Sequence, residues 1–157
     1  MQSLTETLLK KFPEAVLSVD VDTARSEVTV HVAASRILEI ARFLHDDPEA
    51  CFDHITDICS ADYPSDQQRF EVIYLLLSLP HGKRIRLKAR ITEDNPSLDS
   101  VTSVWRGATF LEREVYDMMG IRFTGHPDLR RILLPEDYAE GYPLRKDFPT
   151  EGRGWRS

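Results

Sequence analysis

Residues 70–91 read FEVIYLLLSLPHGKRIRLKARI, and this stretch decides the fold. Phe70 to Leu79 is apolar and rich in β-branched and aromatic residues, as an interior strand requires. Pro80-His81-Gly82 is a turn signal. Lys83 to Ile91 then alternates, with Ile85, Leu87, Ala89 and Ile91 on one face and Arg84, Arg86, Lys88 and Arg90 on the other. A period of two over nine residues is a strand with one buried face, so the stretch is a β-hairpin. The row of cations is expected to be a solvated strand face, neutralised by acidic residues of this domain or of a partner protein. Aromatic platforms for base stacking are missing from it, which argues against nucleic acid.

Working outward from the hairpin, Asp53 to Ala61 predicts a further strand, and Ala15–Val21 and Glu27–Val32 predict two more around a polar turn at Asp22–Ser26. Ser3-Leu4-Thr5-Glu6 reads as a capping box for a first helix, with Leu4, Leu8 and Phe12 on one face and Pro13 as its stop. Ser35 reads as the N-cap of a second helix whose apolar face is Ile37, Ile40, Ala41 and Leu44. Asp94-Asn95-Pro96 predicts a short helix through Val101. A longer helix is predicted over Thr109–Met119, closed by Gly120. This order predicts an α+β fold: a two-layer domain with a mixed β-sheet and helices on one face, over residues 1–120. Residues 121–157, interrupted by Pro127, Pro135, Pro143 and Pro149 and by Gly125, Gly141, Gly152 and Gly154, are expected to form an extended, irregular C-terminal arm that packs on something.

Composition bounds the function. The chain has 157 residues and a net charge of −6. Residues 1–119 carry 13 Lys+Arg against 20 Asp+Glu, and 120–157 carry 7 against 6. An acidic surface is a poor generic binder of phosphate backbones. No apolar run approaches the ~18 residues of a membrane span. Lys10 and Lys11 follow the first apolar residues instead of preceding them, so no signal peptide is read and an intracellular protein is the default expectation. Cys51 and Cys59 are wrongly spaced for zinc or iron–sulfur ligation and are expected to be reduced thiols. Phosphate-binding, nucleophile-elbow and kinase signatures are absent from the sequence, so no catalytic residue is assigned.

The candidate site is the last helix and the arm. On a helical wheel Phe110, Leu111, Val115, Met118 and Met119 form an apolar stripe. Glu114 falls inside it, and Glu112, Arg113 and Asp117 point elsewhere. A carboxylate in an apolar stripe needs a partner. Glu114 is therefore expected to pair with Arg130 or Arg131 and fix the arm to the domain. Asp117, His126 and Asp128 lack a recurring metal-ligand spacing, and His126-Pro127 is expected to make a turn with a hydrogen-bonded imidazole.

The same residues carry a resemblance. EREVYDMMGI (112–121), Phe123, GHPDLRRIL (125–133), EDY (136–138) and GYPLRKDFP (141–149) closely resemble the signature of a complex I (NADH:quinone oxidoreductase, NDH-1) family. Its bacterial members are the C subunits of that complex, and its mitochondrial members the thirty-kilodalton subunits. RFEVIY (69–74) and SVTSVW (100–105) look like that family too. Tyr142 and Phe110 depart from the histidine and tryptophan common there. The resemblance implies a cofactor-free structural subunit of proton-translocating NADH:quinone oxidoreductase, an enzyme only as part of that complex. NADH, FMN, the Fe–S clusters and quinone would be held by other subunits. Its implied partners are the hydrogenase-like quinone-site subunit and the neighbouring Fe–S subunits of the peripheral arm, on the cytoplasmic face of the cell membrane. Glu112, Arg113, Glu114, Asp117, His126, Asp128, Arg130, Arg131, Tyr138, Tyr142, Arg145, Lys146, Asp147 and Phe148 are the expected structural and interface residues. The alternative is the equivalent scaffold of a membrane-bound hydrogenase or formate-hydrogen-lyase complex.

Overall fold

The structure is a computed structural model that describes residues 2–23 and 27–149, with side chains from Leu4 onward. Its elements in chain order are α1 (Gln2–Lys11), β1 (Val16–Asp22), β2 (Glu27–Ala33), α2 (Ile37–Asp46), β3 (His54–Asp62), β4 (Phe70–Ser78), β5 (Lys83–Ile91), β6 (Ser97–Asp99), α3 (Ala108–Met119) and β7 (Arg122–Thr124). A single 3₁₀ turn, Ala34–Arg36, leads into α2. The main sheet has the order β1-β2-β5-β4-β3, and β6 and β7 form a small second sheet. β2 and β5 run parallel and the other neighbours in the main sheet antiparallel, so the sheet is mixed, as expected.

The decisive hairpin forms as read. Phe70 pairs with Ile91 and Ser78 with Lys83 across β4 and β5, and Gly82 takes a positive φ of 59° in the turn. Register then sets the two faces. Val30, Leu87, Tyr74 and Ile58 share one row and point inward, where they join side chains from α1, α2 and α3 in one core. Phe12 of α1 meets Phe43 of α2 edge-on, with ring centroids 5.5 Å apart. The cationic row lies on the uncovered face. There Arg86 pairs with Glu27, Lys88 with Glu71, and Arg90 with Glu71 and Asp66, so the domain neutralises three of the four cations itself.

Three local readings are corrected. α1 already includes Ser3, so the capping box does not start the helix; the Ser3 side chain and residues 24–26 of the first hairpin turn lie outside the described residues. Ser35 sits inside the 3₁₀ turn, and the residue at the α2 N-cap is Arg36, with no side-chain cap. The short helix after Pro96 is a strand, β6, parallel to β7. A helix of about five residues has almost no cooperative stability of its own. Pairing with β7 satisfies the same backbone groups while Leu98 enters the core, and the Arg122 N–H donates to the Pro96 carbonyl at 2.8 Å.

Candidate functional site

α3 is covered on two sides, by the sheet and by the arm, and this double cover decides which of its residues are buried. Ala108, Val115 and Met119 are buried, but so are Glu112, Arg113 and Asp117. Phe110 is 61 % exposed, and Leu111 and Met118 are half-buried. The apolar stripe is therefore narrower than the wheel suggested, and charged residues with partners complete the buried surface. Glu114 is exposed, which overturns its expected pairing with Arg130 or Arg131.

The arm is fixed by the neighbours of Glu114. Arg113 donates from Nε to the Arg130 carbonyl at 3.1 Å and from Nη2 to the Arg131 carbonyl at 2.8 Å. Asp117 Oδ2 accepts the backbone N–H groups of Ile132, Leu133 and Leu134 at 3.1, 2.8 and 2.8 Å. Arg131 Nη1 stands 3.6 Å from Asp117 Oδ1. Burial raises the Asp117 pKa, but the three N–H groups and the Arg131 charge outweigh it and hold the carboxyl below its usual range. A helix arginine thus grips arm carbonyls while a helix aspartate grips arm N–H groups.

The far end of the arm returns to the domain. The Leu144 N–H donates to the Met118 carbonyl at 3.1 Å, and Arg145 Nε donates to the Met119 carbonyl at 2.8 Å. The Arg145 guanidinium lies over Tyr142 at 4.6 Å and over Phe70 at 4.7 Å. The Lys146 N–H donates to Asp62 Oδ2 at 2.7 Å. Asp62 is itself in a buried bidentate pair with Arg69, at 2.8 and 2.9 Å. Arg69 also meets Glu93 at 2.6 Å and Asp147 at 3.0 Å. Hydrogen bonding to Arg69 is the main cause that lowers the Asp62 pKa.

Gly120 closes α3 at φ 72°, and a Cβ there would lie 2.5 Å from the Tyr142 ring, so the arm needs glycine twice over. His126 makes the expected turn: Nε2 lies 3.0 Å from the Thr109 carbonyl, and the Asp128 N–H donates to Nδ1 at 3.0 Å. Asp128 pairs with Arg130 at 2.9 Å, and Arg131 lies over Tyr138 at 5.5 Å. Asp117, His126 and Asp128 are each engaged separately, and the described residues contain no group of three His, Cys, Asp or Glu placed to hold a metal ion. Phe148 is half-buried and approaches Gly141. Outward from this clamped backbone the arm turns Ile132 (37 % exposed), Leu133 (58 %) and Leu144 (57 %).

Sequence reasoning missed Asp62, Arg69 and the role of Glu112. The β3–β4 register places Asp62 opposite Phe70, beside Arg69, so pairing the two strands would have found the ion pair. Glu112 is 0 % exposed. Its Oε1 accepts the Val101 N–H at 2.7 Å, and its Oε2 accepts the Ser100 hydroxyl at 2.6 Å. Burial pushes its pKa up to about 7, against these two hydrogen bonds.

Fold and site together define a class: an α+β domain whose last helix clamps an irregular arm bearing outward-facing aliphatic residues. The chain belongs to the family described as the 30 kDa subunit of the respiratory-chain NADH dehydrogenase, which matches residues 30–154. The C subunit of NADH-quinone oxidoreductase from Roseiflexus sp. (strain RS-1) is 47 % identical over 147 residues, covering 94 % of this chain and 83 % of that protein. The protein of the same description from Geobacter sulfurreducens is 46 % identical, covering 92 % and 87 %. Among solved structures, the trypsin-resistant fragment 1–134 of Nqo5 matches with a TM-score of 0.66 at 32 % identity, covering 82 % of this chain and 97 % of the fragment. A chain of an archaeal membrane-bound sulfane sulfur reductase shares the fold, with a TM-score of 0.80 at 24 % identity over 96 % of this chain and 86 % of that one.

Proposed function

We propose that this chain is a structural subunit of the peripheral arm of proton-translocating NADH:quinone oxidoreductase, and that it scaffolds the quinone-site subunit. The observation that carries the scaffold reading is the clamped arm. Its backbone is tied down by Arg113, Asp117, Asp62 and Arg145, while Ile132, Leu133 and Leu144 face outward. A rigid backbone that displays aliphatic side chains suits docking, because little ordering entropy remains to be lost on binding. Family membership supports the identity of the complex.

On this reading residues 1–120 form the scaffold domain and 121–157 the docking arm. The partners are the hydrogenase-like quinone-site subunit and the neighbouring Fe–S subunits, on the cytoplasmic face of the membrane. NADH, FMN, the clusters and quinone are held by those other subunits, and the isolated chain has no catalytic activity. Electron transfer between fixed cofactors needs fixed geometry, which well-packed interfaces supply.

The test is capture of the tagged chain from mildly solubilised membranes, with mass spectrometry and an NADH:quinone assay on the eluate. Co-purification of the quinone-site and cluster subunits with NADH-dependent quinone reduction is expected. Recovery of a nickel–iron hydrogenase subunit instead would move the chain to another complex, and recovery of the chain alone would sink the scaffold reading.

A further inference from the structure

Glu112 is a fully buried acid with no cation beside it. Its hydrogen-bond partners are the Val101 N–H and the Ser100 hydroxyl. Ser100 Oγ lies 2.8 Å from Thr102 Oγ1. Thr102 is half-buried and lines an open surface cleft with Ser103, Arg106, Phe110, Gly125 and Pro127. Two hydroxyls therefore connect the buried carboxyl to the cleft in an unbroken chain of short contacts. On the other side of the core, the buried Tyr74 hydroxyl has no hydrogen-bond partner.

The turn that Glu112 holds is also the root of the arm. The Ser100 N–H donates to the Thr124 carbonyl at 2.9 Å, the last rung of the β6–β7 sheet. Gly125, where the irregular arm begins, follows directly. Whatever loosens Ser100 and Val101 loosens the point from which the arm leaves the domain.

We propose that Glu112 is a proton-operated latch: protonated, it holds the Ser100–Val101 turn and the arm's root, and it exchanges its proton with solvent through Ser100 and Thr102. In the protonated form the carboxyl donates to Ser100 Oγ, and the Ser100 hydroxyl donates onward to Thr102. Release moves the Glu112 proton to Ser100 Oγ as the Ser100 proton passes to Thr102 and the Thr102 proton to water in the cleft. One proton leaves, and the Ser100 hydroxyl again donates to a carboxylate. That carboxylate is then a charge in an apolar core with two hydrogen bonds, an unfavourable state. The titratable groups facing it from the packed elements are Tyr74 on β4 and Asp99 on β6, neither of which supplies a positive charge. β3 and β7 turn Ile55, Ile58 and Phe123 to the core.

The sign follows from the buried acid binding its proton more readily in the folded chain. The hold is complete below the ordinary value of 4.5 and is lost as pH rises through about 7. The experiment uses the full chain and its Glu112→Gln variant, which keeps shape and neutrality. In the wild type, the infrared carbonyl band of a protonated carboxyl is expected at about pH 5 and gone at about pH 8; the variant lacks it. Amide protection at Ser100 and Val101, after correction for intrinsic exchange, is expected to fall on the order of a hundredfold over that interval in the wild type and to stay flat in Glu112→Gln. Equal pH dependence in both proteins, or no protonated carboxyl in the folded wild type at pH 5, overturns the proposal. Should the variant fail to fold, a carbon-13 titration of wild-type Glu112 decides: a midpoint near 7 supports the latch and one at or below 4.5 sinks it.

Discussion

Glu112 and Asp117 stand five residues apart on one helix, both essentially inaccessible to solvent, yet they are driven in opposite directions. Asp117 gathers three backbone N–H groups and faces Arg131, while Glu112 has one N–H and one hydroxyl. Depth of burial alone therefore does not set the charge of an acid; the count of donors around it does. For Asp117 the lowered value means its contribution is present above the ordinary 3.8 and lost as pH falls through the folded value below that. Amide protection at Ile132, Leu133 and Leu134 is expected to vanish below that pH while the β4–β5 amides remain protected, as exchange measurements would read. Asp117→Ala leaves three N–H groups without their acceptor. We expect a loss of about 1–3 kcal/mol in chemical denaturation, since partial exposure of the arm lets water replace part of what is removed. An unchanged midpoint together with unchanged protection at 132–134 would refute the clamp.

At the scale of elements, Gly120 joins the end of α3 to the return of the arm. Its positive φ alone makes alanine cost about 1 kcal/mol. The added Cβ also meets the Tyr142 ring at 2.5 Å and Arg145 at 2.8 Å. Gly120→Ala is thus expected to cost more in the wild type than in a Tyr142→Ala background, where only the backbone strain remains. Equal costs in the two backgrounds would mean that the arm does not sit on this glycine. The strands and the first two helices were legible because each buries one face at a fixed period, and Ile85, Leu87 and Ala89 needed no knowledge of their neighbours. α3 was misread because it is buried on two faces. A wheel ranks residues by hydropathy, so it excluded Glu112, Arg113 and Asp117, whose partners come from Ser100, Val101 and the arm. Segment 97–99 failed for a related reason: its partner strand lies more than twenty residues later, and no local pattern announces it.

For the whole molecule, the arrangement separates what folds the chain from what the chain offers. The grips on the arm are made by main-chain atoms and by Arg113, Asp117, Asp62, Arg69 and Arg145. The exposed side chains of Leu133 and Leu144 are outside that network, yet their backbones are held by adjacent residues of α3, Asp117 and Met118. Both leucines are therefore presented from one end of one helix, as parts of a common surface. Replacing Leu133 and Leu144 together by Asp removes apolar area and adds charge where no domain residue is packed. Stability in denaturant is expected to move by less than about 0.5 kcal/mol, as at ordinary exposed sites. Capture of partner subunits from membranes is expected to fall at least tenfold, because a buried charge without a partner is costly in an interface. Undiminished capture would show that docking runs through another face, and the uncovered side of the sheet, with Arg84 exposed beside Leu75 and Leu77, would be the next surface to alter.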